Sequence, residues 1–307
     1  MNVHSFPLGE KIVGLALIDQ QLYLLRERSC EEIDVYSTAD HRLLRRINIS
    51  DLNRDSSVTW PRTHGYVDIA SCPVEKCLYL TFESKIKSGV TDVYSATIQR
   101  IDLPGNMTQS NISDFTPCGI SVAQNSNLLV SGNRQGPEKY QWDRSAIVEW
   151  DWKESKLIRE IRLALKCRYF MCHHLHLSNY HAVVYNGNGH EVGLVDTRQG
   201  DTGDSGLSFY RSYGSVHGRG VGKLDHPCHI AVDQDTGCIF VADSGNRRVV
   251  LLSRSLLFIR NITDGFTGHK VNQVCFDSGT RRLYVGMYSD EGGVVKVLSF
   301  HVDPHKE

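Results

Sequence analysis

The chain has 307 residues, 40% apolar and 22% charged, and no run of eighteen apolar residues, so a globular protein with a large core is expected and a membrane-spanning helix is not. Lys plus Arg (34) nearly cancels Asp plus Glu (35), which excludes the strongly basic balance of a general nucleic-acid binder. The nine cysteines are odd in number and scattered, and the N-terminus lacks a basic start followed by an apolar stretch; both point to reduced thiols and a cytoplasmic location.

In chain order, "NVHSFPL" comes first and has no adjacent strand to pair with. Then a grammar repeats: a short apolar strand, a polar turn and a strand of the form L/I-Y/F-V/L. The pairs are "VGLALID/QQLYLLRER", "VDIASCPVEKCLYLTFES", "CGISVAQNSNLLVSGN", "HHLHLSNYHAVVYNG", "CHIAVDQDTGCIFVADS" and "NQVCFDSGTRRLYVGMYS". Third and fourth strands follow the first pair as "EEIDVYST" and "RLLRRINI", and the third pair as "AIVEWDW" and "LIREIRL". The last unit has only one further strand, "VVKVLSFHV".

Aligning the first strands sets Leu15, Ile69, Ile120, Leu175, Ile230 and Val274 in one register, at intervals of 54, 51, 55, 55 and 44 residues. Each interval accommodates about four short strands, as in a propeller blade. The expected fold is therefore all-β: one domain over 1–307, a six-bladed β-propeller of four-stranded antiparallel blades. The N-terminal strand supplies the strand that the last blade lacks and closes the ring, which covers an otherwise exposed sheet edge.

The fifth unit, "GKLDHPCHIAVDQDTGCIFVADSGNRRVVLL", resembles an NHL repeat at Pro227, Asp233, Val241, Ala242, Asp243, Asn246, Arg248 and Val249. The other five units keep the spacing and lose the motif. The resemblance implies a recognition module that binds a protein or peptide over the face where the loops joining second to third strands emerge, here called the top. RNA is the alternative partner, a channel-metal enzyme of the lyase or hydrolase type is the other alternative reading, and the expected state is a monomer without membrane contact.

Two top-face connections read as long loops, Ser84 to Tyr94 and Gly132 to Ser145. The candidate binding residues there are Arg62, Lys85, Lys87, Tyr94, Arg134, Lys139, Tyr140, Trp142 and Arg144. Acidic neighbours such as Glu83, Asp92, Glu138 and Asp143 favour a protein partner over a phosphate backbone. A third insertion, "DTRQGDTGDSGLSFY", lacks the full calcium-loop pattern and reads as a surface tip.

Just before the aligned apolar row stand Gly14, Asp68, Gly119, His174, His229 and Gln273, of which Asp68, His174, His229 and Gln273 are candidate channel residues. One position earlier, Cys118, His173 and Cys228 form a candidate set for a channel metal such as zinc. Strict alternation along a strand sets the two rows on opposite sides. Among six-bladed propellers similar to NHL repeats, the peptidyl-hydroxyglycine lyase holds zinc through histidines at that earlier position, and here only His173 matches it in kind. There is no G-x-S-x-G elbow, no H-E-x-x-H and no phosphate loop, so no catalytic residue is assigned.

Overall fold

A computed structural model describes residues 3–26, 32–49, 66–88, 91–103, 105–135, 142–164, 172–173, 182–186, 189–196, 206–263 and 266–300. These residues form 24 strands in six four-stranded antiparallel sheets. After β1 (Val3–Pro7), the first sheet runs β2 (Ile12–Ile18), β3 (Gln21–Arg26), β4 (Glu32–Ser37) and β5 (Leu43–Asn48). The second runs β6 (Tyr66–Cys72), β7 (Cys77–Ser88), β8 (Thr91–Asp102) and β9 (Met107–Ser113), and the third β10 (Phe115–Val122), β11 (Leu128–Gln135), β12 (Trp142–Asp151) and β13 (Lys156–Leu163). The fourth holds β14 (Cys172–His173), β15 (Ala182–Asn186), β16 (Glu191–Val195) and β17 (Arg211–Gly214). The fifth holds β18 (Pro227–Val232), β19 (Ile239–Asp243), β20 (Arg248–Leu252) and β21 (Phe258–Ile262).

The sixth sheet is built from both ends of the sequence: β22 (Lys270–Asp277), β23 (Arg282–Ser289), β24 (Gly292–Ser299) and then β1. β1 lies antiparallel to β24, with Val3 opposite Leu298 and Pro7 opposite Val294. The N-terminal strand thus completes the sheet that lacked a fourth member in sequence order.

The chain forms two compact units, one of Met1–Ile12, Tyr169–Gly200 and Leu207–Glu307, the other of Val13–Arg168 with Asp201–Gly206. In each, the core lies between the faces of successive sheets. In the second unit, Tyr23, Leu25 and Val35 pack against Leu78, Leu80 and Ile101, while Tyr79 and Ile98 pack against Ile120, Val130 and Val148. In the first, Val192 and Leu194 meet Ile230, Val241 and Val250, and Phe240 and Leu251 meet Val274, Val285 and Leu298. A sheet covered on both faces buries every side chain of its inner strands, so β19 and β20 are buried at all five positions each. The outermost β21 alternates, because only one face of it is covered. Burying one such side chain contributes about 1.5–3 kcal/mol, more than the ~1 kcal/mol of a typical net hydrogen bond, so packing between sheets holds each unit together.

Two expectations are corrected. The described parts of the stretches from Ser84 to Tyr94 and from Gly132 to Ser145 are strand: β7 and β8 pair from Cys77↔Asp102 to Ser88↔Thr91, and β11 pairs with β12 as far as Gln135↔Trp142, while 89–90 and 136–141 lie outside the described residues. Charged and Ser/Gly residues in "SKIKSGVTDVY" suggest a loop, yet Ile86, Val93 and Tyr94 give it the β-branched and aromatic content of a hairpin. The tip of the Asp/Gly-rich insertion, 197–205, lies outside the described residues.

Candidate functional site

The two aligned rows meet at a β-bulge. In four sheets the register with the second strand shifts at the same place, between Tyr66 and Asp68, Pro117 and Gly119, Pro227 and His229, and Val271 and Gln273. The skipped residues are Val67, Cys118, Cys228 and Asn272, the row in which metal ligands were sought. A bulge sets two residues against one and re-aims their side chains, so the alternation expected across these rows does not hold there.

The re-aimed polar groups tie one sheet to the next. Asp68 Oδ2 accepts the Ile120 N–H at 3.0 Å, and His229 Nδ1 accepts the Val274 N–H at 3.4 Å. Ile120 and Val274 are equivalent residues in the sheets that follow, so these two candidate channel residues make the same bond in two places. In the bulge row, Asn272 Nδ2 donates to the Ile12 carbonyl at 2.5 Å, and the Cys228 thiol donates to the Val271 and Asn272 carbonyls at 3.3 and 3.4 Å. Gln273 is buried. His174 lies outside the described residues.

Burial pushes the Cys228 thiol up to about 12, which fits its place as a hydrogen-bond donor to these carbonyls. The buried Cys118 sulfur accepts from Asn133 Nδ2 at 3.7 Å in the second unit. His173 stands on β14 in the first.

Of the top-face candidates, Arg62, Lys139 and Tyr140 lie outside the described residues. Lys85 and Lys87 sit on β7, Tyr94 on β8, and Trp142 and Arg144 on β12. Arg134, on β11, is already engaged: Nε and Nη2 donate to Glu160 Oε2 of the same sheet at 2.8 and 2.5 Å, Nη1 donates to the carbonyl of Ser113 at the end of β9 in the preceding sheet at 2.6 Å, and the guanidinium lies over the Phe115 ring.

In the fifth unit, the residues that resemble an NHL repeat form one buried network. Asp243 Oδ2 accepts from Arg248 Nε at 2.7 Å and Asn246 Nδ2 at 2.8 Å, and Asp243 Oδ1 accepts the Asp225 N–H at 2.6 Å. Asn246 also donates to the Gly218 carbonyl, and Arg248 to the carbonyls of Arg219 and Lys223. The motif thereby fixes the connector between β17 and β18. Burial holds the Asp243 carboxyl above the ordinary carboxylate range despite these donors.

That connector carries a cluster absent from the sequence reading. Asp225 Oδ1 lies 2.6 Å from His226 Nδ1, 3.1 Å from His217 Nε2 and 3.9 Å from His190 Nδ1. His190 comes from the β15–β16 turn, and its Nδ1 accepts the His226 N–H at 3.0 Å. The His190 ring sits edge-on to those of His217 and His226, with centroids 4.9 and 4.7 Å apart. Burial resists ionisation of Asp225, but the His226 hydrogen bond and the surrounding imidazoles outweigh it and hold the carboxyl below its ordinary value. His190 is lowered by burial and then by repulsion from His226 and His217. The sequence signal was weak, because "GHEV", "SVHGRG" and "LDHP" are three separate loop fragments that only the fold brings together.

No family model and no curated protein matches the chain. Solved structures do. The chain is similar to a luciferin-regenerating enzyme (TM-score 0.60, 14% identity, covering 98% of this chain and 97% of that one). It is also similar to Kuenenia stuttgartiensis hydrazine synthase (0.58, 13%, 95% and 84%) and to the β-propeller domain of Myceliophteria thermophila Cps50 (Swd1) (0.54, 9%, 94% and 84%). At such identities the likeness concerns the fold alone, which is an all-β propeller of small antiparallel sheets.

Proposed function

We propose that this propeller is a recognition module whose partner, a protein or peptide, docks on the β7–β8 ribbon. The carrying observation is an overhang. Among the described residues, β6 pairs with β7 as far as Phe82 and β9 with β8 as far as Ser95, while β7 and β8 stay paired out to Ser88 and Thr91. A two-stranded ribbon is marginal by itself, and the edge of such a ribbon is the usual template for strand addition by a peptide. Lys85, Lys87, Asp92 and Tyr94 occupy the overhang, a mixture of charges and an aromatic that suits a protein surface. The engagement of Arg134 by Glu160 weighs against the RNA alternative.

The six four-stranded sheets and the Asp243–Asn246–Arg248 network support the finer reading of six NHL-like blades. Six cysteines among the described residues are free thiols, including Cys72 and Cys77, which face each other across a hairpin; this supports a reducing, cytoplasmic setting for a monomeric module.

The test replaces residues 85–94 with an Asn-Gly turn and compares chemically cross-linked partners of the two proteins by mass spectrometry. The expected result is loss of the enriched partners with thermal stability kept. An unchanged partner set would overturn the proposal, and enriched RNA that dissociates steeply with salt would transfer the reading to nucleic acid.

A further inference from the structure

We propose that His190, Asp225 and His226, with His217 beside them, form a binding site for one Zn²⁺ ion. The three core residues each offer a ligand atom, and these atoms lie within 4.8 Å of one another. Zinc takes nitrogen and carboxylate donors at about 2.0–2.2 Å in a tetrahedron, which sets ligand atoms about 3.3–3.6 Å apart. The separations from Asp225 Oδ1 to the three imidazoles, 2.6, 3.1 and 3.9 Å, bracket that spacing. Calcium prefers six to eight oxygens, and one carboxylate among imidazoles does not supply them. Imidazole suits zinc, and zinc also takes a carboxylate oxygen as a ligand.

The site is held from behind. The Asp225 N–H donates to buried Asp243, and its carbonyl accepts the Gly245 N–H at 2.8 Å. A side chain at Gly245 would collide with the Asp225 carboxylate, so the glycine makes room for it. In front the site is open: His217 and His226 side chains are 65% and 68% exposed, while His190 and Asp225 are 18% and 20% exposed. A cation can therefore arrive from solvent and meet donors that are already assembled.

Neutral imidazole and carboxylate are the forms in which these side chains ligate a metal. Two hydrogen bonds are exchanged on binding: His190 Nδ1 gives up the His226 N–H, and the Asp225 Oδ1–His226 Nδ1 bond opens to admit the ion. Bound there, the ion pins the β15–β16 turn to the β17–β18 connector, two segments distant in sequence.

The test uses untagged full-length protein, stripped with a chelator, exchanged into chelator-free buffer at pH 7.5 and titrated calorimetrically with ZnCl₂. One zinc per chain is expected, with His226→Ala and Asp225→Asn each weakening affinity by at least about 100-fold, the upper range seen even for residues that only support ligands. His226 is exposed, so its replacement leaves the core intact, and circular dichroism confirms the fold. His269→Ala, a partly buried histidine whose ring bonds locally to the Thr267 carbonyl, leaves affinity unchanged. Absence of a one-to-one event overturns the proposal, as does binding indifferent to His226→Ala or lost equally with His269→Ala.

Discussion

Replacing Asp243 with Ala removes the acceptor at the centre of the fifth sheet's network. Three donors lose this acceptor at once: Asp225 N–H, Arg248 Nε and Asn246 Nδ2, the last keeping its bond to the Gly218 carbonyl. The Asp243 and Arg248 side chains are 0% and 3% exposed, so the stranded guanidinium cannot reach water without opening the connector. Breaking a buried pair by removing one partner costs about 3–5 kcal/mol. Arg248 keeps the carbonyls of Arg219 and Lys223, which offsets part of that loss and sets the expectation near the low end, about 3 kcal/mol. The effect is concentrated at the connector, so hydrogen exchange followed by mass spectrometry is the better assay. Amides of 218–226 and of Gly245 should exchange roughly 100-fold faster, the equivalent of about 2.7 kcal/mol of local opening, whereas peptides of the β12–β13 hairpin keep their protection. Tryptophan fluorescence is a poor substitute, since all four tryptophans fall between Val13 and Arg168, in the other unit. Unchanged protection in the connector, or an equal loss throughout the chain, would refute the assignment of Asp243 as its local clamp.

Gly132→Ala sets a methyl group onto the Thr116 carbonyl and the Phe115 ring; urea denaturation followed by circular dichroism should show a loss of about 1–3 kcal/mol, and an unaltered midpoint would contradict the packing. Asp233, although buried, is held below its ordinary 3.8 by hydrogen bonds from Thr236, Arg281 and Ser278. A carboxyl depressed in the folded state stabilises above the unfolded value and loses that contribution as pH falls through the folded one. The melting temperature should accordingly fall on acidification below about pH 4, and Asp233→Asn should flatten that slope while lowering stability at pH 7. The Cys228 thiol, raised to about 12, should resist iodoacetamide in native protein at pH 8 and react on unfolding, read by peptide mass spectrometry.

Periodicity alone set out the repeated strands, their order and the pairing of "NVHSFPL" with the last unit, because a buried sheet needs short apolar runs at regular spacing and β1 had no other partner. The residues resembling an NHL repeat were also legible, since Asp243, Asn246 and Arg248 keep a fixed local spacing. Three things required tertiary structure. A bulge is invisible in sequence, so the position occupied by Cys118 and Cys228 looked like a ligand row; the fold makes it the skipped residue of a strand pair, where Cys228 is tied to the next sheet's backbone. Charge and glycine masked the strands of the β7–β8 ribbon, because pairing across the hairpin outweighs local composition. The His190–Asp225–His226 cluster joins a turn to a connector 35 residues later, and proximity of that kind is created only when β15 to β18 stack.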